Sequence, residues 1–112
     1  MDCLFCKIIA GTIPSTKIYE DEATYAFADI DPKAPVHILV VPKKHITSLS
    51  HASADDKHLL GHLHWAVTEI AKQKNLTNGY RTVINTGEDG NQTVPHLHIH
   101  LFGGRAMHWP PG

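Results

Sequence analysis

The sequence has few cysteines, no cluster of basic residues and no long apolar run. Only two of its 112 residues are cysteine, so a framework of several structural disulfides is excluded. Ten basic and eleven acidic residues give a formal net charge of -1, which argues against a nucleic-acid partner held by phosphate neutralisation. No segment approaches the length of a membrane span, and the first residues do not resemble a signal peptide. We therefore expect no membrane partner and a cytoplasmic location.

The length and the residue pattern predict a single α+β domain over residues 1–112. LFCKIIAG predicts a short helix that ends at Gly11, and apolar residues at helical spacing predict a long helix over residues 53–75. Ser53 and Asp56 form a capping box at its start. KIYEDEATYAFADI predicts two strands, and VHILVVP, YRTVIN and PHLHIHLF predict one strand each. We expect an antiparallel sheet of about five strands with one long and one short helix.

Histidine is unusually abundant, with ten copies in the chain. Three of them, His96, His98 and His100, alternate with aliphatic residues in PHLHIHLF. Alternate side chains of a β-strand share a face, so the imidazoles should line one side while the aliphatic residues are buried on the other. The pattern is compatible with a histidine-rich polar face, with a zinc site built on H-x-H, or with covalent catalysis by an imidazole that attacks phosphorus.

The loop NTGEDGNQTV, directly before these histidines, supplies hydrogen-bond donors suited to phosphate. The donors are backbone N–H groups, an amide and a hydroxyl, from Gly87, Gly90, Asn91, Gln92 and Thr93. Hairpin loops are often rich in glycine and asparagine, so the loop alone is a weak signal. Its position next to three imidazoles favours a phosphate ester or anhydride as the substrate.

The two cysteines form a single C-x-x-C pair, Cys3 and Cys6. In a reducing compartment such a pair favours metal or redox chemistry over a structural disulfide. One pair provides half of a tetrahedral zinc site. The alternative is a pair of reduced thiols that pack as small apolar side chains.

Together these segments resemble the histidine triad (HIT) family of nucleotide hydrolases and transferases. HLHIHLF resembles the family signature H-φ-H-φ-H-φ-φ, CLFCKIIAGTIPSTKIYED its opening, FADIDPKAPVHILVVPKKHI its central region, and GYRTVINTGEDGNQTV its phosphate loop. GGRAMHWPPG resembles the ending of the Hint branch, the nucleoside phosphoramidases. The resemblance implies a dimeric HIT fold. The transferase branch tends to carry Gln at the third triad position, so His100 favours hydrolysis.

The resemblance also implies a role for each matching residue. His98 would be the nucleophile, and His100, His37 and His96 complete the catalytic set. Base contacts are implied for Leu4, Phe5, Ile8 and Ile30, a ribose contact for Asp29, and phosphate contacts for Asn85, Asn91, Gln92, Thr93 and His100. Without the resemblance, the apolar residues would be assigned to the core, Asp29 to a turn and Asn85 to a strand cap.

A structural zinc ion and a homodimer are further implications of the resemblance. The zinc ligands would be Cys3, Cys6, His45 and His96, a closed set that ties the first helix to the active-site strand. The apolar C-terminal tail would reach the active site of the partner subunit, where Trp109 would shape the choice of leaving group. Two departures from the family pattern are Asn91-Gln92-Thr93 in place of Gly-Gln-Ser, and Pro95 in place of an aromatic residue.

The expected function is hydrolysis of purine nucleoside 5'-phosphoramidates, or of aminoacyl-adenylates, to AMP through a covalent nucleotidyl-histidine intermediate. No cofactor is expected to take part in the chemistry itself. The alternatives are a module that senses AMP-like ligands, a dinucleoside polyphosphate hydrolase, and a zinc hydrolase that uses the triad as metal ligands.

Overall fold

A five-stranded antiparallel sheet forms the centre of the computed structural model, which describes residues 3–112. The strands, in chain order, are β1 (Lys17–Glu20), β2 (Thr24–Ala28), β3 (Val36–Pro42), β4 (Arg81–Val83) and β5 (Ile99–Gly103). They pair in the order β1-β2-β3-β5-β4, which places β3 at the centre. The predicted arrangement of antiparallel strands with one long and one short helix is confirmed.

Each face of the sheet is covered by one helix, α1 (Leu4–Ala10) on one side and α2 (Lys57–Gln73) on the other. Leu63 and Ile70 of α2 pack in the same cluster as Val40 of β3. The neighbouring Leu39 points to the opposite face and packs in a second cluster with Phe5 of α1. Burial on both faces explains why β3 is a continuous apolar run rather than an alternating one.

Both helix boundaries follow from local chemistry. The short helix ends at Gly11, whose φ of 81° is a left-handed conformation that glycine adopts without strain. The predicted capping box of Ser53 and Asp56 is present, but it opens a 3-10 turn over Ala54–Asp56, and the α-helix follows from Lys57. Within residues 3–112, no helix combines the length and the apolar character needed to cross a membrane.

The histidine segment departs in part from its predicted strand over residues 95–102. Pairing with β3 begins only at Ile99, so His96 and His98 lie before the regular strand. The backbone N–H of Leu97 instead donates to the carbonyl of Ile46 at 2.6 Å. The predicted alternation of faces survives, because the aliphatic residues at 97, 99 and 101 all bury in the cluster beneath α2.

Candidate active site and metal centre

A cleft of about 270 Å³ lies between α1, the ends of β2 and β3, and the triad segment. Its walls are mainly apolar, with a few polar groups that converge on the same space, as is usual for small-molecule sites. The predicted nucleotide-binding residues that line it are Leu4, Phe5, Ile8, Asp29, Ile30, Thr93, His98 and His100.

The cleft also has lining residues that the sequence did not single out. Phe27 of β2 and Leu39 of β3 are register partners, and both side chains lie on the face that packs against α1. Side chains alternate between the two faces along β2 and β3, and this pattern could have indicated that Phe27 and Leu39 face the cleft. The remaining unpredicted lining residues are Ile13, Pro14, Ser15, Ala28 and Val94.

His98 is held in one orientation and one tautomer. Its Nδ1 lies 2.7 Å from the backbone carbonyl of His96, and a carbonyl only accepts, so Nδ1 carries the proton. The ring of Phe5 contacts the imidazole edge-to-face, with centroids 5.1 Å apart. Burial lowers the pKa of His98, so the neutral form predominates near pH 7. The lone pair therefore resides on Nε2, as a nucleophile requires.

A chain of hydrogen bonds sets the tautomer of His100. The backbone N–H of Lys33 donates to Nδ1 of His37 at 3.1 Å, so the proton of a neutral His37 lies on Nε2. That Nε2 is 3.0 Å from Nδ1 of His100 and donates to it. The proton of His100 is thereby placed on its own Nε2. His37, which the resemblance included in the catalytic set, thus contacts His100 directly.

Burial, together with the neighbouring imidazoles of His98 and His37, lowers the pKa of His100 to about 4. Burial also lowers the pKa of His37, although the carboxylate of Asp29, 3.5 Å from Nε2, opposes the shift. The imidazoles are therefore mainly neutral near pH 7. His100 offers an Nε2–H donor without carrying a charge.

Three predicted phosphate-binding residues lie outside the cleft lining, and two of them hold the preceding loop together. The side-chain NH₂ of Gln92 donates to the carbonyls of Thr47 at 2.8 Å and Val94 at 3.0 Å, and its oxygen accepts from the backbone of Gly87. The amide of Asn85 donates to the carbonyl of Gly90 at 2.7 Å. Asn91 is exposed, with a left-handed φ of 60°.

Trp109 also lies outside the cleft of its own chain. Its side chain is 80% exposed, and its ring centroid lies 5.9 Å from the guanidinium of Arg81 on the edge strand β4. A large exposed aromatic beside an unpaired strand edge is compatible with a subunit interface. The predicted contact with a partner subunit stays a prediction.

The predicted zinc ligands Cys3, Cys6, His45 and His96 come together, with all four donor atoms within 4.8 Å of one another. Sulfur–nitrogen distances within the set are 3.2, 3.5 and 3.6 Å, and the two Nδ1 atoms are 3.1 Å apart. Tetrahedral zinc with ordinary bond lengths would place sulfur and nitrogen about 3.6 Å apart, and two nitrogens about 3.3 Å apart. The donor spacing fits zinc.

The protonation of the cluster also suits a metal ion. Nε2 of His96 donates to the carbonyl of Pro42 at 2.9 Å, so Nδ1 presents its lone pair to the cluster. Burial, together with the hydrogen bond and charge of Cys3, raises the pKa of Cys6. Cys6 is therefore a neutral thiol near pH 7 in the absence of an ion, and zinc binding would displace its proton.

Comparison with known sequences identifies the family. The sequence model of the HIT domain matches residues 10–107. The chain belongs to the HIT family. It is 58% identical over 111 residues to an uncharacterised HIT-like protein of Synechococcus elongatus, covering 99% of this chain and 97% of that protein. It is 50% identical over 111 residues to a 14 kDa zinc-binding protein of Zea mays, covering 97% and 87% of the two chains.

Solved structures confirm the predicted HIT fold. A HIT family hydrolase from Legionella pneumophila superposes with a TM-score of 0.97 at 46% identity, covering 99% of this chain and 100% of that chain. A histidine triad protein from Clostridium difficile superposes with a TM-score of 0.93 at 48% identity, covering 96% and 94%. The similarity to a HIT hydrolase supports assignment of this chain as a hydrolase, while its branch and substrate stay predictions.

Proposed function

We propose that this HIT protein is a nucleotide-binding hydrolase of the Hint type, which cleaves purine nucleoside 5'-phosphoramidates or aminoacyl-adenylates to AMP. The orientation of His98 carries the proposal. Its Nδ1 proton is bonded to a backbone carbonyl, and the ring lines an apolar cleft beside the donor His100. An imidazole that ligates a metal is oriented in the same way, so the chelation experiment below separates the two roles of His98.

In the first half-reaction, the lone pair on Nε2 of His98 forms a bond to phosphorus. The phosphorus–nitrogen bond of the substrate breaks, its electron pair stays with the departing nitrogen, and that nitrogen takes one proton to leave as an amine. The nucleotidyl imidazolium that results keeps its Nδ1–H on the carbonyl of His96, which stabilises the positive charge. For an aminoacyl-adenylate, a phosphorus–oxygen bond breaks instead and a carboxylate leaves.

In the second half-reaction, a water oxygen attacks phosphorus and the bond to Nε2 of His98 breaks. AMP is released, the electron pair of the broken bond returns to Nε2, and the proton of the water passes to solvent. A phosphorylated imidazolium releases neutral imidazole, a good leaving group, so the covalent intermediate is labile enough to turn over.

Protonation of the departing amine is coupled to substrate binding. Burial lowers the pKa of His98 and of His100, so the free protein holds little imidazolium at pH 7. A bound phosphate anion favours the charged form of the neighbouring His100 and raises its pKa again, while His98 stays neutral for attack. The substrate therefore recruits the proton that its own leaving group needs.

The rest of the nucleotide fits the polar and apolar parts of the cleft. The base would lie among Leu4, Phe5 and Ile8, with the fully exposed Ile30 closing over it. Asp29 accepts a hydrogen bond from the backbone of Asp31 through Oδ1, which leaves Oδ2 as an acceptor for ribose hydroxyls. The phosphate contacts fall to the residues at 93, 98 and 100.

Gln92, Asn85 and Asn91 take a supporting role in this proposal. Both amide hydrogens of Gln92 are already donated to backbone carbonyls, so its contribution is to hold the loop rather than to bind phosphate. Asn85 fixes the same loop through Gly90. A phosphate loop held in this way keeps the hydroxyl of Thr93 beside the cleft.

Zinc would be held by Cys3, Cys6, His45 and His96, and would supply structural cross-linking rather than Lewis-acid chemistry at phosphorus. A homodimer would add the partner subunit's Trp109 to the leaving-group side of the site. Light scattering at micromolar concentration tests the dimer, and a monomer would contradict it.

Turnover of an adenosine 5'-phosphoramidate tests the function, using the wild type and His98→Ala, each before and after chelation. We expect activity that survives brief chelation while the fold remains intact, and that is lost in the variant. Loss of activity on chelation with the fold intact would indicate metal chemistry at the triad. AMP binding without turnover in the wild type would indicate a sensing module instead.

A further inference from the structure

A second cavity, of about 400 Å³, adjoins the phosphate side of the cleft. Thr93 lines both spaces, and no triad residue is among the described residues that line the second one. More of its lining residues carry polar side chains than in the nucleoside cleft, although carbon atoms make up most of its exposed wall. Its walls include Thr47, Ser48, His51, Glu88, Gln92 and Thr93.

The position of this cavity suits the part of the substrate that departs. Under the proposed function, the phosphate lies in the cleft between His98 and Thr93. In-line displacement requires the leaving group to point away from the attacking nitrogen. A group directed away from His98 and past Thr93 enters the second cavity, because that residue forms the boundary between the two spaces.

Hydrogen bonds fix residues on two walls of the cavity. Gln92 ties the loop to Thr47 through its amide, and its oxygen accepts from the backbone of Gly87 at 3.1 Å. On the other wall, the buried hydroxyl of Ser48 hydrogen-bonds Nδ1 of His51 at 2.7 Å. These contacts hold Gln92, Ser48 and His51 in place before a ligand binds, whereas Glu88 is exposed on the loop.

The charge in the cavity has one sign. Among the residues of the described range 3–112 that line it, Glu88 bears the only carboxylate, and neither lysine nor arginine is present. The adjacent Asp89 is equally exposed on the same loop but does not line the cavity. A cationic group in this space would be attracted by Glu88 at short range.

We propose that this cavity is the leaving-group subsite, and that Glu88 makes it select amines with a second positive charge. This inference rests on the proposed function, since it assigns the specificity of the same reaction. Glu88 is a specificity-determining residue that contacts the departing group, whereas the chemistry remains with His98.

The test compares two adenosine 5'-phosphoramidates, one of putrescine and one of pentylamine. The leaving amines have nearly the same length, but putrescine ends in an ammonium where pentylamine ends in a methyl group. The enzymes are wild type, Glu88→Gln and the matched control Asp89→Asn. Each variant removes one negative charge from the same exposed loop, so only contact with the substrate separates them.

We expect the ratio of kcat/KM values, putrescine over pentylamine, to fall about fivefold in Glu88→Gln, as for a partly exposed ion pair. The ratio should stay at the wild-type value in Asp89→Asn, and kcat/KM for pentylamine should not change in either variant. An unchanged ratio in Glu88→Gln, or an equal fall of the ratio in both variants, would overturn the assignment of the leaving-group subsite. Failure of the wild type to cleave either compound would overturn the proposed function, and the inference with it.

Discussion

Loss of the metal centre should strongly destabilise the fold. Cys3 and Cys6 belong to the start of the chain and His96 to the triad segment, so the ion would join parts of the chain 93 residues apart. Protein in free zinc at about a thousand times the dissociation constant gains about 4 kcal/mol of unfolding free energy. A domain of this size changes its Tm by about 4–8 °C per kcal/mol. Metal removal should therefore lower the Tm by about 15–30 °C.

Calorimetry with and without a strong chelator measures the Tm, and elemental analysis measures the zinc content per chain. We expect one zinc per chain in protein purified without chelator. Cys6→Ser should lose the metal and melt like the chelated wild type. His64→Gln, which changes an exposed helical histidine outside the cluster, should keep both metal and Tm. Zinc far below one per chain, or a Tm that metal removal leaves unchanged, would refute the reasoning.

Three further predictions concern pH and the phosphate loop. Burial and the neighbouring imidazoles lower the pKa of His100 from 6.5 to about 4. The free energy of unfolding therefore keeps its full value above pH 6.5, where His100 is neutral in both the folded and the unfolded chain. The free energy of unfolding, measured in urea, should fall by about 3 kcal/mol in the wild type as the pH falls to 4. It should not show this fall in His100→Asn. Burial raises the pKa of Asp21, but hydrogen bonds outweigh it and lower the pKa from 3.8 to about 2. Asp21→Asn should therefore cost about 2 kcal/mol at pH 7 in urea unfolding, a difference that disappears as the pH falls from 3.8 to 2. Gly90→Ala should reduce kcat/KM in steady-state assays, because its Cβ would lie 2.7 Å from the backbone nitrogen of Thr86, whereas Gly61→Ala has open space and should not.

Features decided by neighbouring residues could be predicted from the sequence. The short helix ends at Gly11 because a left-handed residue is needed there, and glycine meets that need in any context. The central strand was recognisable because VHILVVP offers apolar side chains to both faces. Such signals lie within a few residues and do not depend on the rest of the fold.

Features decided by distant contacts could not be predicted in the same way. The regular strand starts at Ile99 and not at Pro95, because His96 turns towards Cys3 and the N–H of Leu97 bonds a carbonyl outside the sheet. The assignment of Gln92 to phosphate stays a prediction. Its hydrogen bonds to two backbone carbonyls could not be read from the sequence, because Thr47 becomes its neighbour only after folding.

The candidate site combines both kinds of information. The C-x-x-C pair supplied two ligands by spacing alone, and the family resemblance supplied His45 and His96, which the structure brings to the same point. The tautomer of His98 follows from its contact with the carbonyl of His96, a residue of the same segment. The second cavity gave no signal, since its walls come from separate segments.

Trapping the covalent intermediate tests the central claim most directly. Wild-type protein is mixed with an adenosine 5'-phosphoramidate, quenched within a single turnover and analysed by intact-mass and peptide mass spectrometry. The account predicts one adenylyl group on His98 of the wild type and none in His98→Ala. The adduct should decay more slowly when the attack of water on its phosphorus atom is impaired. An adduct on another residue, or turnover that persists in His98→Ala, would contradict the assignment of His98 as the nucleophile.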